Sequence, residues 1–90
     1  MAGDIRTEVL FYTRPGCSMC DRAYEIVERT LAPYSGTLKV INVESDPDLE
    51  ARYGHDLPVV ELRSPTHTRI FHHTVDADEF ASEVRHLWNR

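Results

Sequence analysis

The feature that most constrains this chain is a compact apolar run that stops at a turn and gives way at once to a helical stripe. Val9-Leu10-Phe11-Tyr12 is rich in β-branched and aromatic residues and reads as a strand buried on both faces. Thr13 to Gly16 interrupts it, with Pro15 and Gly16 as turn signals. Beyond the turn, Cys20, Ala23, Tyr24, Val27 and Leu31 recur at helical spacing and form one apolar stripe. Arg22, Glu25, Glu28 and Arg29 take the polar side, and Glu25 and Arg29 have a favourable i,i+4 spacing. Pro33 and Gly36 are expected to close this helix.

The same switching of period continues along the chain. Leu38 to Val43 reads as a second strand. Asp46 offers an N-cap and Pro47 suits the first position of a short helix through Tyr53, for which Gly54 is the expected left-handed C-cap. Val59-Val60-Glu61-Leu62 is a third strand entered from Pro58, Ser64 to His67 a turn, and Thr68 to His72 a fourth strand antiparallel to the third. Asp76 and Glu79 have the spacing of a capping box. Ala77, Phe80, Ala81, Val84, Leu87 and Trp88 follow as an amphipathic stripe. The order β-α-β-α-β-β-α predicts an α/β domain in which the first strands pair in parallel and a final hairpin adds an antiparallel edge. Residues 1–90 read as a single domain, a four-stranded mixed sheet flanked by three helices, with Met1 to Thr7 as a lead-in.

Composition removes several classes of function. The formal net charge is −5, and there is no cluster of Lys and Arg of the kind that replaces phosphate counterions, so no nucleic-acid partner is expected. No apolar run approaches the ~20 residues of a membrane span, and Met1 to Glu8 lacks an apolar secretory core. Two cysteines are too few for a disulfide-stapled secreted scaffold. A cytoplasmic monomer is the expectation, and in that reducing setting a cysteine pair is more often redox-active or metal-binding than structural.

The position of the pair carries the chemistry. Cys17 falls where the loop after the first strand enters the first helix, and Cys20 lies one turn further along the apolar stripe. The i,i+3 relation puts both sulfurs on one side of the helix, close enough to bridge. Disulfide exchange proceeds through the thiolate. Unpaired N–H groups and the positive dipole end stabilise an anion at a helix start by up to ~2 kcal/mol. At ~1.36 kcal/mol per pKa unit, this draws a thiol well below the free-cysteine value of ~8.5, and Arg14 and Arg22 are placed to add to the effect. Cys17 is the expected nucleophile and Cys20 the resolving thiol of a dithiol oxidoreductase that needs no metal or organic cofactor.

Other readings of the pair are two inert core thiols, a permanent disulfide, and half of a zinc site. A four-residue loop restrains little chain entropy, which weakens the second. For zinc, His67 and His72 have four residues between them, an acceptable ligand spacing, but the gap from Cys20 to His67 far exceeds the ~12–15 residues of a finger. The alternative functions are therefore a metal- or iron–sulfur-cluster-binding module and a non-catalytic adaptor. His72 and His73 adjoin on the fourth strand and should face opposite ways. His55 reads as a surface loop residue, Trp88 as a core lid, and Met19 as an exposed apolar contact beside the nucleophile.

With these elements in place, Phe11-Tyr12-Thr13-Arg14-Pro15-Gly16-Cys17-Ser18-Met19-Cys20 resembles the active-site opening of the glutaredoxin-like proteins of the thioredoxin superfamily. Leu57-Pro58-Val59 resembles their proline segment, and the likeness runs from about Glu8 to Trp88. The resemblance implies a thioredoxin-like fold in which Cys17 attacks and Cys20 resolves. It implies that Arg14 helps to hold glutathione, that Pro58 is a cis-proline facing the dithiol, and that the Leu57 backbone pairs with an extended thiol-bearing substrate. It also implies a disulfide-containing protein or a low-molecular-weight thiol as partner, with glutathione as a possible reductant. The chain departs from the family in having Ser18-Met19 between the cysteines and His73-Thr74-Val75-Asp76 where glutaredoxins carry a glycine pair. The acid buried beneath the thioredoxin site is replaced by Phe11.

Overall fold

A computed structural model describes residues 7–34, 37–65 and 67–88. Gly36 and the lead-in up to residue 6 lie outside the described residues. The elements are β1 (Glu8–Thr13), α1 (Ser18–Leu31), β2 (Thr37–Asn42), a 3-10 turn at Val43–Ser45, α2 (Pro47–Tyr53), β3 (Val59–Arg63), β4 (Thr68–His72) and α3 (Ala77–Trp88). They form the expected α/β thioredoxin-like architecture, with strand order β2-β1-β3-β4. β1 runs parallel to β2 and antiparallel to β3, and β4 is an antiparallel edge on β3.

The strand read as buried on both faces is so: Val9, Leu10, Phe11 and Tyr12 are all in the core. Register puts Val9 opposite Leu62, and Val60 opposite both Phe11 and Phe71, on one face of the sheet. That face is covered by α1 and α3. Tyr24 of α1 meets Phe11 edge-on with ring centroids 5.5 Å apart, and Phe80 of α3 meets Phe71 in the same way at 5.5 Å. Phe80, Val84, Leu87 and Trp88 are buried, so the α3 stripe closes the core as its period requires, and Trp88 is its lid. Burying such side chains contributes roughly 1.5–3 kcal/mol each.

Two caps follow the sequence, and two glycine or cap assignments are corrected. Asp46 Oδ1 accepts from Asp48 N at 2.9 Å with Pro47 opening α2, and Asp76 Oδ1 accepts from Glu79 N at 2.9 Å. The carboxylate of Glu79, expected to return the bond in a capping box, instead pairs with Arg69 at 3.2 Å. Gly54 is not a left-handed cap: its φ is −57° and its ψ −28°. Its requirement is space. A Cβ there would stand 2.5 Å from the Glu50 carbonyl oxygen and 2.9 Å from Arg14 Nη2.

The other sheet face is covered by α2 at one end, where Tyr53 packs against Tyr12 with centroids 4.5 Å apart. Along this face runs a polar network. The Tyr12 hydroxyl donates to Glu61 Oε1 at 3.3 Å, and Arg63 donates through Nε (3.1 Å) and Nη2 (2.9 Å) to Glu61 Oε2. Glu8 extends it to Lys39 at 3.5 Å and to Arg63 at 3.9 Å. Glu61 is buried and needs this pairing to be tolerated as a charge.

Burial, and next the negative charge of Glu61, push the Tyr12 phenol up to about 12. The unfolded chain releases that proton near 10.0 and the folded chain keeps it until about 12. Between those values the unfolded state binds fewer protons, so stability present below pH 10 falls as the pH rises through this window. A phenolate absorbance titration should show a step near pH 12 that Tyr12→Phe removes. A step complete by pH 11 would contradict the burial of this hydroxyl.

Candidate functional site

β1 delivers the chain to the site through a bend at Gly16. The φ of +78° there is one that L side chains rarely adopt, and nothing lies within 4 Å of a Cβ built on it, so glycine is needed for conformation and not for room. Cys17 then occupies the N-cap of α1 in an extended conformation, φ −96° and ψ 101°. Its carbonyl starts the helical ladder by accepting from Asp21 N at 3.1 Å. Its Sγ takes the place of the oxygen that Ser or Asp usually supplies, accepting from Cys20 N at 3.1 Å. The sulfur thus sits on one of the unpaired first-turn amides, at the positive end of a 14-residue helix.

Cys20 lies one turn on, in the core and 1% exposed, whereas Cys17 is half-buried. The two are joined as a disulfide with Cα atoms 5.2 Å apart. A half-buried cysteine at the helix start, one turn from a buried partner, is the arrangement expected of the pair.

The Leu57–Pro58 peptide is cis, and both residues are buried. Neither the N–H nor the C=O of Leu57 has a hydrogen-bond partner among the described residues. A cavity of about 200 Å³ is lined by Pro58, by Met19, Arg22, Ala23 and Ile26 of α1, and by His73-Thr74-Val75. Met19 is 41% exposed, as its reading required.

The reading of His73 is corrected. β4 ends at His72, and His73 has a φ of +69°, a left-handed conformation that costs a non-glycine residue roughly 1–2 kcal/mol. The bend has a visible cause. The His73 N–H reaches two carbonyls, Asp56 O and Pro58 O, both at 2.8 Å, and ties the segment before α3 to the Pro58 loop. His72 lies 4.0 Å from the Asp56 carboxylate. His55 is exposed, as its reading as a loop residue required.

Arg14 is half-buried and already engaged. Its Nη2 donates to the Gly54 carbonyl at 3.2 Å and pairs with Glu50 at 3.5 Å, which straps the segment before Gly16 to the end of α2. Gly54 leaves room for that strap. Arg22 has no ion pair or hydrogen bond from its side chain among the described residues. Among the same residues, no group of three or more His, Cys, Asp or Glu is arranged to hold a metal ion. None of the described helices is long and apolar enough to cross a membrane.

Sequence reasoning missed the buried Glu61 and the bend at His73. Glu61 did leave a signal: a carboxylate in the middle of Val59-Val60-Glu61-Leu62, with Arg63 two residues on and therefore on the same strand face. His73 left none, because its conformation follows from a pairing between segments remote in sequence.

Comparison with known proteins agrees with this geometry. A family model described as Glutaredoxin-like domain (DUF836) matches residues 8–85. No curated protein matches the chain. Among solved structures, a structural-genomics target protein from X. campestris is similar at 24% identity and a TM-score of 0.66, over 87% of this chain and 96% of that one. A mutant thioredoxin from Halobacterium salinarum is similar at 16% identity and a TM-score of 0.77, over 98% and 80%. Thioredoxin O2 from Arabidopsis thaliana, in its oxidised state, is similar at 14% identity and a TM-score of 0.73, over 94% and 77%. These structures establish the shared fold.

Proposed function

The chain belongs to the glutaredoxin-like domain family (DUF836), and from that premise we propose that it is a thiol–disulfide oxidoreductase working through Cys17 and Cys20. The observation that carries this reading is the sulfur of Cys17 at the N-cap of α1, in hydrogen-bond contact with Cys20 N and bonded to Cys20 Sγ.

In the reduced protein the Cys17 thiolate attacks one sulfur of a substrate disulfide. A Cys17–substrate bond forms, the substrate S–S bond breaks, and the second substrate sulfur leaves as a thiolate that takes a proton from water. The Cys20 thiol then loses its proton and attacks Cys17 Sγ. The substrate is released fully reduced by two electrons and the Cys17–Cys20 disulfide remains. A low-molecular-weight thiol, glutathione among them, or a reductase resets the pair by two exchanges in the opposite direction. No metal or organic cofactor enters these steps.

Leu57, with its unpartnered backbone groups in the loop before β3, is the segment to which an extended substrate would add. Arg14 serves this site chiefly by holding the loop before Cys17 against α2. Its guanidinium is shared between Glu50 and the Gly54 carbonyl, so it has limited capacity left for a glutathione carboxylate. We place the protein as a monomer in a reducing compartment such as the cytoplasm, where the pair can cycle.

Equilibration in thiol–disulfide buffers tests the proposal. The pair should interconvert as a two-electron couple between about −180 and −270 mV, the span of dithiol oxidoreductases from protein disulfide isomerase to thioredoxin. A pair that stays oxidised down to below about −300 mV would mark a structural disulfide and overturn the proposal.

A further inference from the structure

The cavity between α1 and the Pro58 loop carries information about substrate. Its apolar wall comes from Met19, Ala23, Ile26, Pro58 and Val75. The charged side chain on its lining is Arg22, the titratable one is His73, and no carboxylate lines it. This stands against the chain as a whole, which has 15 acids to 10 basic residues. The carboxylates that adjoin these residues in sequence lie outside the lining. Asp76 caps α3, Asp56 lies against His72, and Asp21 is exposed on α1 outside the lining. Arg14, Arg63 and Arg69 are all paired with glutamates, whereas the Arg22 side chain has no partner among the described residues. His73 is held at the rim in a left-handed conformation by two carbonyls, so this wall is fixed in place by the same loop that carries Pro58.

Resting on the oxidoreductase reading, we propose that this groove selects protein disulfides whose cysteine is flanked by an apolar residue and a carboxylate. The apolar side chain enters between Met19, Ile26 and Val75, and the carboxylate meets Arg22. The spacing follows from the helix. Arg22 is five residues beyond Cys17, about 7.5 Å along the axis at ~1.5 Å per residue. An extended peptide covers that distance in about two residues. That axial offset is the minimum separation, so the substrate acid lies at least two positions from the cysteine, with the apolar residue between them. Bond changes are those of the exchange already given: the Cys17–substrate S–S bond forms as the substrate disulfide breaks.

The test uses three blocked peptides, Glu-Leu-Cys-Leu-Glu, Lys-Leu-Cys-Leu-Lys and Glu-Ser-Cys-Ser-Glu, each as its symmetric disulfide. Each oxidises the reduced full chain at ~0.15 M salt, where the Debye length is about 8 Å and the net charge is largely screened. The glutamate–leucine peptide should react about fivefold faster than the lysine peptide, the size of one exposed ion pair. It should also react roughly threefold faster than the serine peptide, which lacks the apolar contact. Arg22→Glu should reverse the first ratio, and Arg22→Gln should bring it close to one. Net charge alone would favour lysine, so an acidic preference reports local contact. Equal rates for all three peptides, or a lysine preference unchanged by Arg22→Glu, would overturn the groove assignment and leave the oxidoreductase reading standing. Failure of every peptide and of a small neutral disulfide to oxidise the dithiol would overturn both.

Discussion

Cys17→Ser protein will reduce disulfides at least about a thousandfold more slowly than the native chain, because a serine hydroxyl at the same N-cap is not ionised at neutral pH. The substitution is otherwise mild. Serine is a preferred N-cap residue, and its oxygen can accept from Cys20 N where the sulfur now does. Loss of activity will therefore come without loss of fold, and far-ultraviolet circular dichroism measured beside the activity separates the two. Cys20→Ser gives the opposite signature. The first attack still occurs at Cys17, but nothing displaces the product from within, so a mixed disulfide accumulates and survives on a non-reducing gel. Turnover undiminished in Cys17→Ser would reject the assignment of the nucleophile. A mixed disulfide that formed in Cys17→Ser and not in Cys20→Ser would exchange the two roles.

Phe80→Ala should cost about 3–5 kcal/mol, the range for truncating a buried phenylalanine. Phe80 is 0% exposed and its ring meets Phe71 at 5.5 Å and 70°, so truncation removes both the burial and the edge contact that joins α3 to β4. Alanine recovers a few tenths of a kcal/mol through helix propensity, too little to change the outcome. Native domains have only about 5–15 kcal/mol of stability in all. Urea unfolding followed by the single tryptophan, which is buried in the same layer, should show the midpoint fall sharply or the transition disappear. A change below 1 kcal/mol would mean that α3 does not close this core.

Local signals were enough for the frame. β1 shows itself because four consecutive buried residues have no other reason to be apolar, and α3 because its stripe keeps helical period from Phe80 to Trp88. The active-site turn is legible for the same reason: the bend at Gly16, the N-cap at Cys17 and the buried turn at Cys20 are all local consequences of one strand passing into one helix. What the chain hid depends on contacts between distant segments. Gly54 looks like a left-handed cap until Arg14, 40 positions earlier, is seen crossing above it. His73 looks like a strand residue until its amide is found between the carbonyls of Asp56 and Pro58. The buried acid of the described residues, Glu61, is carried by β3 on the sheet face opposite Phe11 and held by Tyr12 and Arg63. Each of these was decided by contacts between segments distant in the chain, which a single segment does not encode.

The account turns on a sulfur anion stabilised where a helix begins. The most direct test is the rate of Cys17 alkylation against pH in the reduced Cys20→Ser protein, where only one thiol can react. We expect a midpoint well below ~8.5, with the rate already at its plateau near neutral pH. A midpoint at or above the free-cysteine value would contradict the claim.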